Sequence, residues 1–388
     1  MMAEPIALAA NAPKWRLAKR ASIWAGALLL IMLAGQLLSA YLRSRGMPIS
    51  FGFLKYPSGF DVSESLIDYS GADSYARAFV VGALNTLKVS ALGIVLTSVL
   101  ALMIALCRLA HNPLLSGLGR AWVETTRNIP LLLHLFAWYA AITFGLPDSR
   151  GALQPLPGVV LSNRGIWLPA IDAAGQGWLL IGVGLVWLVL VRLGLGLWER
   201  LRPGLATALW GMKWPLAVLG GIGGGYATSA LMGLTLSIST AHLDGFSMSG
   251  GAGISTEFTA LLIGLTVYTS GSLAEVFRGA IVAVPKAQTE AAISVGLGPV
   301  SRLRLIVLPQ ALKIGVPPTI NQYLNLIKNS SLAVAVGYPD LVSVGNTAIN
   351  QTGQALAIIF IFLAFYVALG FLVSTLMRYL TKRLDHVA

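Results

Sequence analysis

The sequence predicts an all-α, polytopic membrane protein with about eight transmembrane helices. Composition is the first reason: hydrophobic residues make up 56% of the 388 and charged residues only 11%, far from the balance of soluble domains. Apolar runs of spanning length also recur along the whole chain. Finally, the lysines and arginines behind the net charge of +12 fall in short clusters between those runs, which is the footprint of membrane topology and not of a nucleic-acid surface. No internal repeat and no low-complexity linker separates soluble parts, so one membrane domain is expected.

Residues 1–78 hold a basic tail (Lys14, Arg16, Lys19, Arg20), a first apolar run at 23–42 and an external loop with Asp61, Glu64, Asp68 and Asp73. A run of about twenty residues suits a spanning helix and exceeds a signal-peptide core. Ser39-Ala40-Tyr41 is a poor cleavage pattern, so this helix is expected to stay. Runs at 80–106 and 131–146 follow, within a first core part at 79–146. The segment 147–250 opens with Pro155, Pro157, Gly158, Gly165 and Pro169, an irregular external loop over 147–176 by composition, and continues with runs at 178–197 and 214–236. The last part, 251–388, carries runs at 258–284, 317–338 and 355–377. With the amino terminus inside, even parity returns the carboxyl terminus to the cytoplasm. Most basic residues then lie inside, as the positive-inside rule requires, while Lys88 and Lys328 fall within spans.

The segment 285–316 is not hydrophobic, and on this topology it faces the cytoplasm. Its residues Glu290-Ala291-Ala292-Ile293-Ser294-Val295-Gly296 predict a short helix over 286–295, broken at Gly296-Leu297-Gly298 because glycine tolerates the positive φ of a helix end. Pro299 suits the first position of a second helix, expected to run to Leu308 and stop at Pro309. The stretch resembles the EAA loop of ABC-type import permeases: E-A-A, three residues, G, nine residues, I-x-L-P, met here through Ile306, Leu308 and Pro309. The resemblance implies a cytoplasmic element docked in a groove of an ATP-hydrolysing subunit. Glu290 would pair with a basic group there, Ala291 and Ala292 would permit close approach, Gly296 would set the turn, and Leu308 and Pro309 would complete the loop. An ordinary surface charge remains the alternative for Glu290.

Further pieces are similar to the polar-amino-acid branch of that family, the histidine- and glutamine-importer type: Val123-Glu124-Thr125-Thr126-Arg127-Asn128-Ile129-Pro130, Ser272-Leu273-Ala274-Glu275-Val276-Phe277-Arg278-Gly279 and Lys328-Asn329-Ser330-Ser331-Leu332-Ala333. The likeness covers roughly 82–146 and 258 to the end. The extra first helix and the insertion resemble the larger permease of bacterial general L-amino-acid importers, the AapQ/BztB type. From the resemblance follow an ABC type I importer permease fold, with a five-helix core plus the N-terminal helix and a two-helix insertion, and a multi-pass place in the bacterial inner membrane with both termini cytoplasmic. It also implies broad amino-acid specificity and three partners: an ATP-binding ABC subunit working as a dimer, a second related permease, and a periplasmic amino-acid-binding protein. ATP and Mg would sit on the ATPase, with no cofactor on this chain. The inserted helices would pack on the partner permease or on lipid.

Asn321, Asn325, Lys328 and Leu332 are spaced four, three and four apart and share one helix face. Two amides and an ammonium are costly against lipid, so that face should meet a water-filled path or another helix. Lys328 would suit a substrate carboxylate and the two amides either end of an amino acid; hydrogen bonding to neighbouring helices is the competing reading. Tyr268, Ser270 and Ser272 are further candidates for lining the path, although hydroxyls in membrane helices often bond their own backbone. Glu275 and Arg278, three apart, form a local ion pair by default.

No catalytic or metal set is visible. The histidines at 111, 134, 242 and 386 are scattered and Cys107 is the single cysteine, which leaves no thiolate cluster and no H-E-x-x-H. The absence of G-x-x-x-x-G-K-[ST] means ATP must be hydrolysed by another subunit if at all. An ion-coupled secondary transporter and a membrane enzyme are the alternatives. The first calls for buried carboxylates or broken helices in matched halves, the second for a convergent acid/base set, and neither signature is seen.

Overall fold

The computed structural model describes residues 50–172, 213–231, 237–244 and 247–385, with scattered positions between 26 and 44 and most of 182–194. The first predicted run, 23–42, lies largely outside the described residues. The protein is mostly helical, in chain order α1 (Tyr75–Leu109), α2 (Pro113–Asn128), α3 (Leu131–Gly145), strands β1 (Leu153–Leu156), β2 (Val159–Ser162), β3 (Gly165–Leu168) and β4 (Ala170–Asp172), α4 (Lys213–Leu231), β5 (Ser237–Ser239), β6 (His242–Asp244), β7 (Ser247–Ser249), β8 (Ala252–Ser255), α5 (Thr256–Val282), α6 (Lys286–Ser294), α7 (Pro299–Arg302), α8 (Leu308–Asn329), α9 (Leu341–Thr352) and α10 (Ala355–Asp385). Among the described residues three helices are long and apolar enough to cross a membrane: Tyr75–Leu109, Thr256–Val282 and Ala355–Tyr379. Two bent pairs raise this to five: Pro113–Asn128 with Leu131–Gly145, bent by 105°, and Pro299–Val336 with Leu341–Thr352, bent by 53°.

The chain divides into two compact units, Met1–Ile94 with Glu275–Ala388, and Val95–Ala274. In the first, a core of Phe53, Tyr75, Phe79, Leu341, Val344 and Ile358 joins the loop before α1 to α1, α9 and α10. Close packing depends on missing side chains. A Cβ on Gly82 would lie 2.9 Å from Leu341 Cα, so α1 and the start of α9 touch backbone to backbone. The residues before α1 are folded as well: a 3-10 turn at Gly52–Lys55, a bridge between Pro57 and Ser74, and Tyr75 N–H donating to Tyr56 O at 3.0 Å.

In the second unit, Asn112 caps α2 by accepting from Leu114 N–H at 2.9 Å, with Pro113 at the first helical position, as helix starts favour. Pro130 ends the run from α2 and α3 follows at its sharp angle, since a residue before proline avoids helical ψ; Ile129 has ψ 127°. Thus the predicted span at 131–146 is one arm of a bent pair. Glycines again set the contacts, a Cβ on Gly271 falling 2.0 Å from Thr126 Oγ1 and one on Gly264 falling 2.6 Å from Leu135 Cδ2.

The expected irregular stretch 147–176 is partly ordered as β-structure, which the all-α expectation did not include. β1, β2, β3 and β8 form an antiparallel sheet in that order. Pro157 and Gly158 supply the two-residue turn between the paired Leu156 and Val159, Gly158 taking φ +78°, so the Pro and Gly residues read as loop signals are the turn chemistry of a hairpin. The pairing of β3 with β8 runs from Gly165↔Ser255 to Leu168↔Ala252, so a strand shortly after α3 is joined to the strand that leads directly into α5. Two further short ribbons pair β4 with β5 and β6 with β7.

Candidate functional site

α6 begins after Pro285 and ends in a Schellman cap. Gly296 takes φ +77°, Gly296 N–H donates to Ile293 O at 2.9 Å, and Leu297 N–H donates back to Ala292 O at 3.0 Å. That is the 5→2 and 6→1 pair that satisfies the last carbonyls of a helix. Glu290, Ala291 and Gly296 are exposed and Ala292 is buried. Of the two alanines, then, only Ala291 lies at the surface, while Ala292 faces the interior. Ile293, Val295, Val300, Leu303 and Leu305 are 52–77% exposed, interspersed with exposed Lys286, Gln288, Ser294 and Arg304.

The expected helix stop at Pro309 is not there. A π-turn at Leu303–Val307 leads from α7 into α8, with Leu308 N–H donating five residues back to Leu303 O. The widened turn makes room for the proline ring and absorbs its missing N–H, so α8 starts at Leu308 and runs on through Pro317 and Pro318. The stretch predicted as a span at 317–338 is therefore the second half of this helix followed by a 3-10 segment at Ser330–Val336. Leu308 is exposed and Pro309 half-buried. Below the loop, Ala280, Val284 and Ala311 form a small core with Ile281 and Val307 packed on it. A Cβ on Gly315 would sit 3.0 Å from Ala280 Cβ, and Gln310 Nε2 donates to Gln288 Oε1 at 3.4 Å. The end of α5 and the start of α8 are thus packed through small residues, and α6 is tied to α8 by the Gln288–Gln310 bond.

On α8, Asn321, Asn325 and Lys328 are all exposed while Leu326 and Ile327 are buried. Leu332, expected on the same face, lies beyond the helix end in the 3-10 segment, where the 3.6-residue spacing no longer holds. Tyr268, Ser270 and Ser272 lie in the other unit. Ser270 is fully buried, its hydroxyl donating to Val267 O at 2.7 Å and accepting from Trp122 Nε1 at 3.0 Å. Tyr268 is half-buried with its ring edge-on to His134 at 5.9 Å, and Ser272 is half-buried. Glu275 and Arg278 form their local pair at 2.9 Å. Among the described residues no three His, Cys, Asp or Glu side chains gather as a metal site.

One polar group was not anticipated. Lys88 on α1 pairs with Glu64 of the preceding loop. Asn85, fully buried, donates from Nδ2 to Glu64 O at 2.7 Å and to Pro339 O at 2.9 Å. Its sequence signal was a lysine inside an apolar run, a charge that requires a partner, beside a loop holding four carboxylates.

A chain with three helices long and apolar enough to span a membrane and two bent pairs, carrying the E-A-A elbow between two of them, has the make-up of a membrane component of a transport system. The family described as binding-protein-dependent transport system inner membrane component matches residues 93–386, and the chain belongs to that family. Similar proteins include YhdX of Escherichia coli K12, named as an amino-acid ABC transporter permease protein, 40% identical over 88% of this chain and 87% of that one. AapQ of Rhizobium johnstonii, a general L-amino acid transport system permease protein, is 37% identical over 86% of this chain and 83% of its own. BztB of Rhodobacter capsulatus, a glutamate/glutamine/aspartate/asparagine transport system permease protein, is 34% identical over 91% of both chains.

Proposed function

We propose that this chain is the permease subunit of an ATP-driven importer that moves L-amino acids, with broad and mainly polar specificity, across the bacterial inner membrane. It is a translocation subunit, and ATP with Mg binds a separate dimeric ABC subunit. The observation that carries the reading is the elbow: Glu290 and Ile293 exposed on a nine-residue helix that is capped at Gly296 and meets the start of α8 through Gln288 and Gln310. The three similar permeases support amino acids as the cargo. Eight spans, cytoplasmic termini, a 147–250 insertion made of an external loop and two extra helices within a core of 79–146 and 251–388, a related second permease and an external binding protein complete the proposal. The exposed strip of Asn321, Asn325 and Lys328 is its candidate contact with the zwitterion, the ammonium meeting the α-carboxylate and the amides serving either end.

The test is uptake of labelled L-glutamine and L-glutamate by cells expressing the whole system. Depleting ATP with the ion gradients intact should stop it, and an ionophore at constant ATP should not. The opposite pattern would point to ion-coupled transport and refute the assignment.

A further inference from the structure

We propose that the loop 57–74 is an external strap that holds the outer side of the path closed at rest, with Asn85 as its latch. The idea rests on the orientation and the transport reading above. The loop is a closed, ordered unit: Ser58 N–H donates to Asp73 O at 2.8 Å, Gly59 N–H to Gly71 O at 2.9 Å, and Tyr69 OH reaches Phe60 O at 3.0 Å while bonding Ser58 Oγ at 2.7 Å. Partial burial pushes the Tyr69 phenol above its ordinary range. Its tip does not stay at the end of α1. Asn85 and Lys88 lie ten and thirteen residues beyond Tyr75, about 15 and 20 Å along the helix, and both hold Glu64, one through its carbonyl and one through its carboxylate. The amide of Asn85 simultaneously holds Pro339 O, in the Gly337–Asp340 break between the 3-10 segment and α9, where Gly337 is left-handed at φ +80°. Thr86 Oγ1 accepts from Leu341 N–H at 3.1 Å on the far side of that break.

One buried side chain therefore ties strap, α1 and the bend together. The bend sets the direction of the stretch that carries Asn321, Asn325 and Lys328, so an outward opening that changes the 53° angle must release Pro339, and with it the strap. The ion pair is the accessible half of the latch, 25% exposed on Lys88 and 17% on Glu64, while Asn85 is the sealed half.

The test uses the complex purified through this chain, with Cys107→Ser as background. Bridging Glu64→Cys and Lys88→Cys with a short bismaleimide is expected to bring glutamine uptake in proteoliposomes to background, while either single cysteine treated alike retains it. Bridged protein that transports normally, or a pair that never cross-links, overturns the proposal. As a second readout, Glu64→Lys should raise ATP hydrolysis without binding protein about fivefold, the weight of roughly one lost contact on a two-state balance. The swap Glu64→Lys/Lys88→Glu should restore the resting rate. A purely structural pair would lower yield without raising that rate, and this result also overturns the latch. Failure of the unaltered complex to take up glutamine would count against the transport reading instead.

Discussion

Gly296 permits the sharpest test of the elbow, because its role is conformational and not steric. A Cβ there would meet no atom within 4 Å, yet the residue sits at φ +77°. An L side chain in the left-handed region costs roughly 1–2 kcal/mol, more when β-branched and less for Asn, whose side chain tolerates it. α6 is nine residues long, well below the length at which a helix holds by itself, so that cost falls directly on the population with a properly capped elbow. One to two kcal/mol is a factor of about 5–30 in such a population. The initial rate of glutamine uptake, normalised to permease in the membrane, should thus fall about 5- to 30-fold in Gly296→Ala, further in Gly296→Val, and little in Gly296→Asn. Asn as damaging as Val would mean that size against a docking partner, not backbone conformation, decides the effect. Full activity in Ala would show that the capped turn is not needed.

Three other expectations follow from the same contacts. Glu290→Lys should abolish uptake while leaving insertion intact, as judged by membrane yield; undiminished uptake would remove Glu290 from the interface. Lys328→Gln should raise the substrate concentration for half-maximal uptake far more than Lys328→Arg does, because losing a charge-assisted hydrogen bond costs about 1.5–3 kcal/mol; equal effects would favour a packing role. Gly82→Ala and Gly271→Ala should each lower thermal stability in detergent by about 1–3 kcal/mol through overpacking, their Cβ atoms falling at 2.9 Å from Leu341 Cα and 2.0 Å from Thr126 Oγ1. Gly117→Ala, with open space and a helical backbone, should be neutral or stabilising by about 0.4–1 kcal/mol.

What could be read from the sequence was whatever depends on local chemistry. Gly296 fixes the end of α6, Pro299 the start of the short helix after it, and the apolar runs the long helices; the spacing of Asn321, Asn325 and Lys328 holds within α8, whereas Leu332 falls beyond its end. What escaped depends on distant partners. Pro309 reads as a stop only if the preceding turn is α, and the π-turn at Leu303–Val307 changes that premise. The fourth strand of the sheet, β8, pairs with β3 from some ninety residues further along the sequence, and no window of local propensity contains both. Ser270 carries the hydroxyl of a path-lining residue, but the indole of Trp122, 148 positions away in sequence, occupies it. Lys88 gave a signal without naming its partner, since four carboxylates in one loop were equally eligible until Glu64 was found beside it.

The central claim is that this exposed elbow sits on an ATP-hydrolysing subunit inside the cell. With Cys107→Ser as background, Glu290→Cys carrying a photoactivatable thiol label should give one major adduct with a co-purifying ATP-binding subunit, and a membrane-impermeant maleimide should reach it only in inside-out vesicles. Labelling of intact spheroplasts at position 290, or adducts with no nucleotide-binding partner, would contradict the account.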